Sequence, residues 1–198
     1  MSADAAKPGL RERKKARTRA AIQAHALELF LKQGYEATKI EQIIEAAEIS
    51  ESTFFRYFPT KEDLVLQDEY DPQLVEGLRA QPADVPPITA MRRVVAEVFG
   101  GMSERERAEQ RERIDLVLSV PALRATMLDQ LMQGTRLLAV PLAERTGRNP
   151  GDFAVRVIAG AIIGALTTVL IELADNPDAD LVGLMDEAMA HLESGLEL

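Results

Sequence analysis

The short stretch from Ser50 to Lys61 holds an unusual density of side chains able to donate and accept hydrogen bonds. Ser50, Ser52 and Thr53 bring hydroxyls, Glu51 a carboxylate, Arg56 a guanidinium, Tyr57 a phenol and Lys61 an ammonium. If this stretch is helical, Phe54 and Phe58 are i, i+4 neighbours and share one face. Ser52, Thr53 and Arg56 then project from the opposite face, with Phe55 and Tyr57 at its margins. Hydroxyl, guanidinium and phenol groups on one side of a narrow helix suit base edges and phosphate oxygens. They do not suit covalent catalysis. The chain has no cysteine and two histidines, His25 and His191, far apart in sequence. Thiol chemistry, a thiolate metal site and a histidine-based triad are excluded. There is no Gly-rich phosphate loop, no metal-ligand cluster and no nucleophile–base pair. The sequence therefore predicts a protein that is not an enzyme and needs no cofactor or metal.

These residues need a scaffold, and the flanking segments supply it. The spacing predicts a first helix from about Arg13 to Gln33, with Ile22, Ala26, Leu29 and Phe30 on one face and Gly34 at its exit. A second reads Lys39 to Ala47, with Thr38 and Glu41 spaced as a capping box. A tight turn at Glu48-Ile49 leads to a third, from Glu51 to about Phe58. Ser50 is its N-cap and Pro59 its stop. A fourth starts after Thr60 and runs to about Arg79, kinking at Pro72. Two short capped helices joined by a tight turn form a helix-turn-helix. Its second helix can enter the major groove of DNA.

No stretch alternates with the two-residue period of a strand. Further helices read at about Ile88–Phe99, Ser103–Val120, Ala122–Arg145, Asp152–Ala174 and Ala179–Gly195. The fold class is all-α with about nine helices. A head over residues 1–66 precedes a body over residues 67–198. Charge divides along the same line. The head holds 11 Lys/Arg against 10 Asp/Glu, and the body 12 against 22. Seven basic residues crowd the first twenty positions, which read as a basic arm. An acidic protein can still bind nucleic acid when its positive charge faces the phosphates. The longest uncharged apolar run, Val157–Ile171, is too short for a bilayer, and the N-terminus lacks the apolar core of a signal peptide. The expected location is the cytoplasm, with no membrane partner. Phe153–Leu173 carries only Arg156 and Glu172 as charges. It must be buried on most sides, either in a dimer interface or as the central helix of a monomer. Arg105, Arg107, Arg111 and Arg113 alternate with Glu104, Glu106, Glu109 and Glu112, which reads as a solvated face of i, i+4 pairs.

The head strongly resembles the TetR family of transcriptional regulators. The residues in register are Thr38, Ile43, Ala46, Ala47, Ile49, Ser50, Thr53, Phe54, Phe55, Tyr57, Phe58, Lys61, Glu62 and Leu64, preceded by the Ala26–Phe30 and Gly34–Thr38 segments. The resemblance implies that Thr38 and Lys39 face the DNA backbone. It places Ser50, Glu51, Ser52, Thr53 and Arg56 at or near base edges, and Tyr57 and Lys61 on phosphates. Two departures stand out: Phe55 where the family often has Tyr, and Glu48 where it has the turn glycine. The resemblance further implies a homodimer on a pseudo-palindromic double-stranded operator. The final helices would pair through Phe153, Val157, Gly160, Ala161, Gly164, Leu184, Ala188 and His191. A small-molecule pocket would be lined by Met91, Phe99, Met102, Ile114, Leu118, Met127, Leu131 and Met132, although residues of these types at helical spacing are more often plain core. Arg113–Ala125 resembles a subgroup that senses acyl-CoA-like molecules. A repressor is the family's habit; an activator on the same fold is the alternative.

Overall fold

A computed structural model describes residues 9–67, 70–176 and 179–196. The described residues form ten helices and no strand. The chain divides into two compact units, Met1–Gln67 and Asp68–Leu198.

The first unit holds α1 (Leu10–Gln33), α2 (Ile40–Ala46), α3 (Glu51–Tyr57) and α4 (Asp63–Leu66). Its core follows the helical period. Ile22, Ala26 and Phe30 point inward from successive turns of α1 and meet Ile43, Phe54, Phe58, Leu64 and Val65, all buried. Gly34 ends α1 at φ 89, a conformation that suits a residue without a Cβ. The expected basic arm is helical from Leu10 onward, and Arg11, Lys14, Lys15 and Arg17 line the exposed first turns of α1. Lys7 lies outside the described residues.

The expected long fourth helix is two. α4 ends at Leu66, and α5 (Tyr70–Ala80) begins separately, which raises the count from nine to ten. Pro72 accounts for this. Deep inside one helix its ring would clash with the carbonyl four residues back, whereas the first turn of α5 asks no N–H of it.

The second unit continues with α6 (Pro87–Gly100), α7 (Glu104–Ser119), α8 (Pro121–Thr146), α9 (Phe153–Asp175) and α10 (Leu181–Ser194). α6 packs on α5 and α10; α8 packs on α5, α7 and α9; α9 and α10 pack together. Their shared core includes Met91, Val94, Phe99, Leu142, Ile162 and Met189. Gly77 lets α5 approach α6 closely, since a Cβ there would come within 2.6 Å of Val94 Cγ1. Arg145, in the last turn of α8, holds the α5–α6 loop. Its Nε donates to the Val85 carbonyl at 3.1 Å and Nη1 to that of Gln81 at 3.0 Å. Nη2 donates to the carbonyls of Val85, at 2.8 Å, and Pro82. Replacing Arg145 by Met strips these carbonyls of their donor. Chemical denaturation should show the second unit destabilised by about 2 kcal/mol or more. An unchanged midpoint would mean that water satisfies the loop equally well.

Candidate nucleic-acid interface

α3 has seven residues and is set by both of its ends. Ser50 Oγ accepts the Thr53 N–H at 3.2 Å and shares hydrogen bonds with the hydroxyls of Ser52, at 3.1 Å, and Thr53, at 2.9 Å. Phe54 and Phe58 are wholly buried. The opposite face is open: Glu51, Ser52, Phe55 and Arg56 are exposed, and Thr53 and Tyr57 are half-buried. The Phe55 ring rests edge-on against Phe54 at 5.3 Å, which holds a large apolar group at the surface. The Arg56 guanidinium lies 5.4 Å from the centre of the Tyr57 ring. The result is a hydroxyl cluster at the amino end of α3, with a cation and a phenol one turn on. Such a face offers donors and acceptors in the size range of a groove edge.

The turn before α3 closes without its glycine. Glu48 adopts φ 51, in the left-handed region. The Ile49 N–H then reaches the Ile44 carbonyl at 3.2 Å and seals the end of α2. Glu48 therefore carries both backbone strain and an exposed negative charge beside the α3 face.

Two expected contacts are corrected. Thr38 does not face outward and does not cap α2 with Glu41. It is buried; its hydroxyl donates to the Gly34 carbonyl at 2.8 Å and accepts from Gln33 Nε2 at 3.1 Å. The end of α1 needs that donor, so the start of α2 is closed by the next pair along: Gln42 Oε1 accepts the Lys39 N–H at 2.9 Å. Lys39 itself is exposed. Lys61 is likewise spent within the head. Its ammonium donates to the Tyr35 carbonyl and sits 4.1 Å from the centre of the Tyr35 ring. Burial lowers its pKa against the opposing charges of Glu36 and Glu62. Burial also raises the pKa of the Tyr35 phenol, and the Glu62 carboxylate adds to the rise. No well-formed hydrogen bond satisfies the buried Tyr35 hydroxyl.

A clasp behind α3 has no sequence signature. Arg19 Nη2 donates to Gln67 Oε1 at 2.6 Å, with its guanidinium 4.8 Å from the centre of the Phe58 ring. Gln23 Nε2, one turn on, donates to the carbonyls of Leu64, at 3.1 Å, and Gln67, at 2.6 Å. α1 thus holds both α4 and the last residue of the head. Only the i, i+4 spacing of Arg19 and Gln23 hinted at a shared face.

In the second unit, Met91, Phe99, Met102 and Ile114 lie in the core, and Leu118 is half-buried against it. Met127 and Leu131 are half-buried, one turn apart on α8. Met132 follows Leu131 around the helix onto its outer side, 53% exposed, so the expectation that it lines an internal pocket is corrected. α9 has two faces. Val155, Ala159, Ile162, Val169 and Leu173 are buried. Phe153, Val157 and Ile171 are exposed in line with the exposed Gly164 and the half-buried Gly160 and Ala161. By length and composition alone, this 23-residue helix of mean hydropathy 2.2 could cross a membrane, and only 22% of its most apolar window is buried within the chain. On α10, Leu184 and Ala188 are half-buried against the core and His191 is exposed.

Comparison with known proteins agrees with this architecture. Residues 22–67 match the family model for bacterial regulatory proteins of the tetR family. Residues 85–197 match the model for the MftR C-terminal domain. The HTH-type transcriptional regulator TcmR of Streptomyces glaucescens is 36% identical over 185 residues, covering 89% of this chain and 82% of that protein. The crystal structure of Thermus thermophilus FadR, a TetR family repressor in complex with lauroyl-CoA, superposes with a TM-score of 0.54 at 24% identity, covering 91% of this chain and 95% of that one. NalD, the secondary repressor of the MexAB-OprM multidrug efflux pump in Pseudomonas aeruginosa, gives 0.57 at 20% identity, covering 91% and 97%.

Two substitutions separate scaffold from surface. Glu48→Gly relieves the left-handed strain and should stabilise the head by about 0.5–1 kcal/mol in denaturant titrations. It also removes a negative charge, so affinity for DNA should rise; a loss of stability would mean that the Glu48 side chain holds the turn. Lys61→Met should cost about 1–2 kcal/mol of head stability and leave the salt dependence of DNA binding unchanged. A log–log salt slope shallower by about one unit would instead place Lys61 on a phosphate.

Proposed function

The chain belongs to the TetR family of bacterial regulatory proteins, and on that premise we propose that it is a homodimeric repressor released from its operator by a small molecule. The observation that carries the DNA-binding part is α3 itself, a capped two-turn helix with one face wholly buried and the other unspent. In this reading Ser50, Glu51, Ser52, Thr53 and Arg56 meet base edges. Lys39, Tyr57 and the exposed cations at the start of α1 meet phosphates. Thr38 and Lys61 act from within, by holding α2 and α4 in place.

The outward stripe of α9 supports a second copy as its partner. Phe153, Val157, Gly160, Gly164 and Ile171 recur at helical spacing, and an apolar stripe of that length is costly to leave in water. Each helical glycine costs roughly 0.5–1 kcal/mol relative to alanine. A Cβ at Gly160 or Gly164 would meet nothing within 4 Å in this chain, so packing within the chain does not require either glycine. A neighbouring helix pressed against them would. Two-fold pairing then presents two α3 helices to half-sites of a pseudo-palindrome. The protein acts in the cytoplasm, where that DNA lies. FadR binds lauroyl-CoA, and an acyl-CoA-like effector is the first candidate here.

The test is fluorescence anisotropy with DNA from upstream of the protein's own gene against scrambled DNA, over a salt series. Tight, sequence-dependent binding with a steep log–log slope is expected. Weak binding, equal on the two DNAs and on any sequence selected from random pools, would overturn the reading. Arg56→Ala should narrow the gap between operator and scrambled DNA by about 1–3 kcal/mol, through loss of operator affinity. Equal loss on both would move Arg56 to the backbone. Val157→Glu and Ile171→Glu should each yield monomers in analytical ultracentrifugation; a dimer that survives both would place the interface elsewhere.

A further inference from the structure

The alternating Arg and Glu residues of α7 form the solvated face that their spacing suggests only in part: Glu104, Arg105, Glu106, Glu109 and Glu112 are exposed, and Arg107, Arg111 and Arg113 are half-buried. Arg105 Nε pairs with Glu109 Oε1 at 2.7 Å. Arg107 and Arg111 turn the other way. They fall at i and i+4 of a stripe that continues through Ile114 and Leu118. Ile114 is buried in the core and the other three are half-buried. This is the side of α7 toward α8 and α9, since Ile114 lies in the core that those helices share and Leu118 packs against it.

The two guanidiniums are short of counter-charge. Arg107 Nε donates to the Met102 carbonyl at 3.2 Å and forms no ion pair, and Arg111 has no partner of any kind among the described residues. The α7 carboxylates are all exposed, Glu104 and Asp115 at the flanks of the stripe and the others further round the helix. The carboxylates of α8 and α9 (Asp129, Glu144, Glu172 and Asp175) are exposed as well. Two like charges one turn apart repel, and half-buried cations without an anion are disfavoured. An arginine pair carries ten N–H donors, one of them spent here on the Met102 carbonyl, in planar forks shaped for carboxylate or phosphate. Immediately along the same stripe the helix turns apolar, at Ile114 in the core and Leu118 against it.

We propose that Arg107 and Arg111 bind the anionic group of an amphipathic effector whose apolar part lies along Ile114 and Leu118. This rests on the reading of the protein as ligand-responsive and gives that ligand its chemical class. A carboxylate and a phosphate share the required chemistry, and titration distinguishes them.

The experiment is isothermal titration calorimetry on the full-length protein, below micelle concentration. The probes are dodecanoate, dodecyl phosphate, lauroyl-CoA, dodecanol and dodecyltrimethylammonium. One of the anions should bind roughly tenfold or more tightly than dodecanol, the scale of one charge-assisted hydrogen-bond set, and the ammonium more weakly still. The better of the three anions identifies the headgroup. Arg107→Met with Arg111→Met should bring that anion to the level of dodecanol while dodecanol itself is unchanged. A circular-dichroism melt checks that the double variant folds, and Arg111→Lys should restore part of the preference. Equal binding of anion and alcohol, an unchanged anion affinity in the folded double variant, or no binding of any probe would each overturn the proposal. Operator release separates this proposal from the one on which it rests. Anion binding that leaves DNA binding untouched defeats the regulatory reading and keeps the site. A neutral compound that releases DNA equally from wild type and double variant keeps the regulation and overturns the site.

Discussion

The head depends on the complete burial of Phe54 and Phe58 on one side of a helix too short to exist alone. α3 has seven residues, and isolated helices below about twelve residues are marginal in water. Burial of each ring contributes on the order of 2–3 kcal/mol, and Ile22, Ala26, Phe30 and Ile43 supply the apolar surroundings. That burial fixes the rotation of α3 about its own axis. Once Phe54 and Phe58 are inside, Ser52 and Arg56 can only be outside. A turn of the helix by one residue would bury Phe55 and expose Phe54, and the outward face would lose its hydroxyls. The recognition surface is thus a by-product of core packing, which is why its side chains are free to vary without unfolding the helix.

The same logic sorts the polar residues of the head into two kinds. Thr38, Arg19, Gln23 and Lys61 are tied to carbonyls or side chains of the head itself. Each is needed where a helix ends: Thr38 at the exit of α1, Arg19 and Gln23 at the exit of α4, Lys61 beside the turn that follows α1. Ser52 and Arg56 on α3, and Lys39 just before α2, lie where Ser50 and Gln42 already close the helix ends. Arg56 and Lys39 keep their polar ends in water, and Ser52 shares a hydrogen bond with the neighbouring Ser50 hydroxyl. A nucleic-acid surface has to be assembled from this second set, because a donor already committed inside loses as much as it gains by turning outward.

The sequence was legible where a pattern repeats over several turns. The buried stripe of α1, the paired phenylalanines of α3 and the Ser50 cap are periodic or positional signals, and the structure places them as read. It was less legible where two neighbouring residues compete for one task. Thr38 and Lys39 both precede α2, and the buried end of α1 decides that Thr38 goes inward. The family resemblance put Lys61 on a phosphate, yet its partners in the head, the Tyr35 ring and carbonyl, lie 26 positions away in sequence. Alternation told only part of α7. Glu104, Arg105, Glu106, Glu109 and Glu112 are exposed as the spacing suggests, while Arg107 and Arg111 share a half-buried stripe with Ile114 and Leu118. The break after α4 was visible in Pro72 and was misread as a kink, because a proline marks a boundary without saying how many residues the gap takes.

Charge sets a second constraint, and it bears on which surfaces DNA can touch. The head carries 11 cationic against 10 anionic residues, and the rest of the chain 12 against 22. A uniformly spread charge of that kind would repel a polyanion. At physiological ionic strength, however, charges act over about 8 Å. Only the groups within that distance of a phosphate matter to a docked complex. The exposed cations of α1, with Lys39 and Arg56, belong to the head, and the excess carboxylates belong to the second unit. The head is thus the unit whose charge does not oppose a polyanion. Within the head, Glu48 and Glu51 act over the short distance that survives screening. Both are exposed at the two ends of the turn into α3. There, an acceptor beside the groove favours a base edge that donates, such as the cytosine amino group, and disfavours a phosphate. On the proposed reading, the two carboxylates would lower general affinity for DNA while sharpening the demand on sequence, the balance that a regulator facing a genome of competing sites requires.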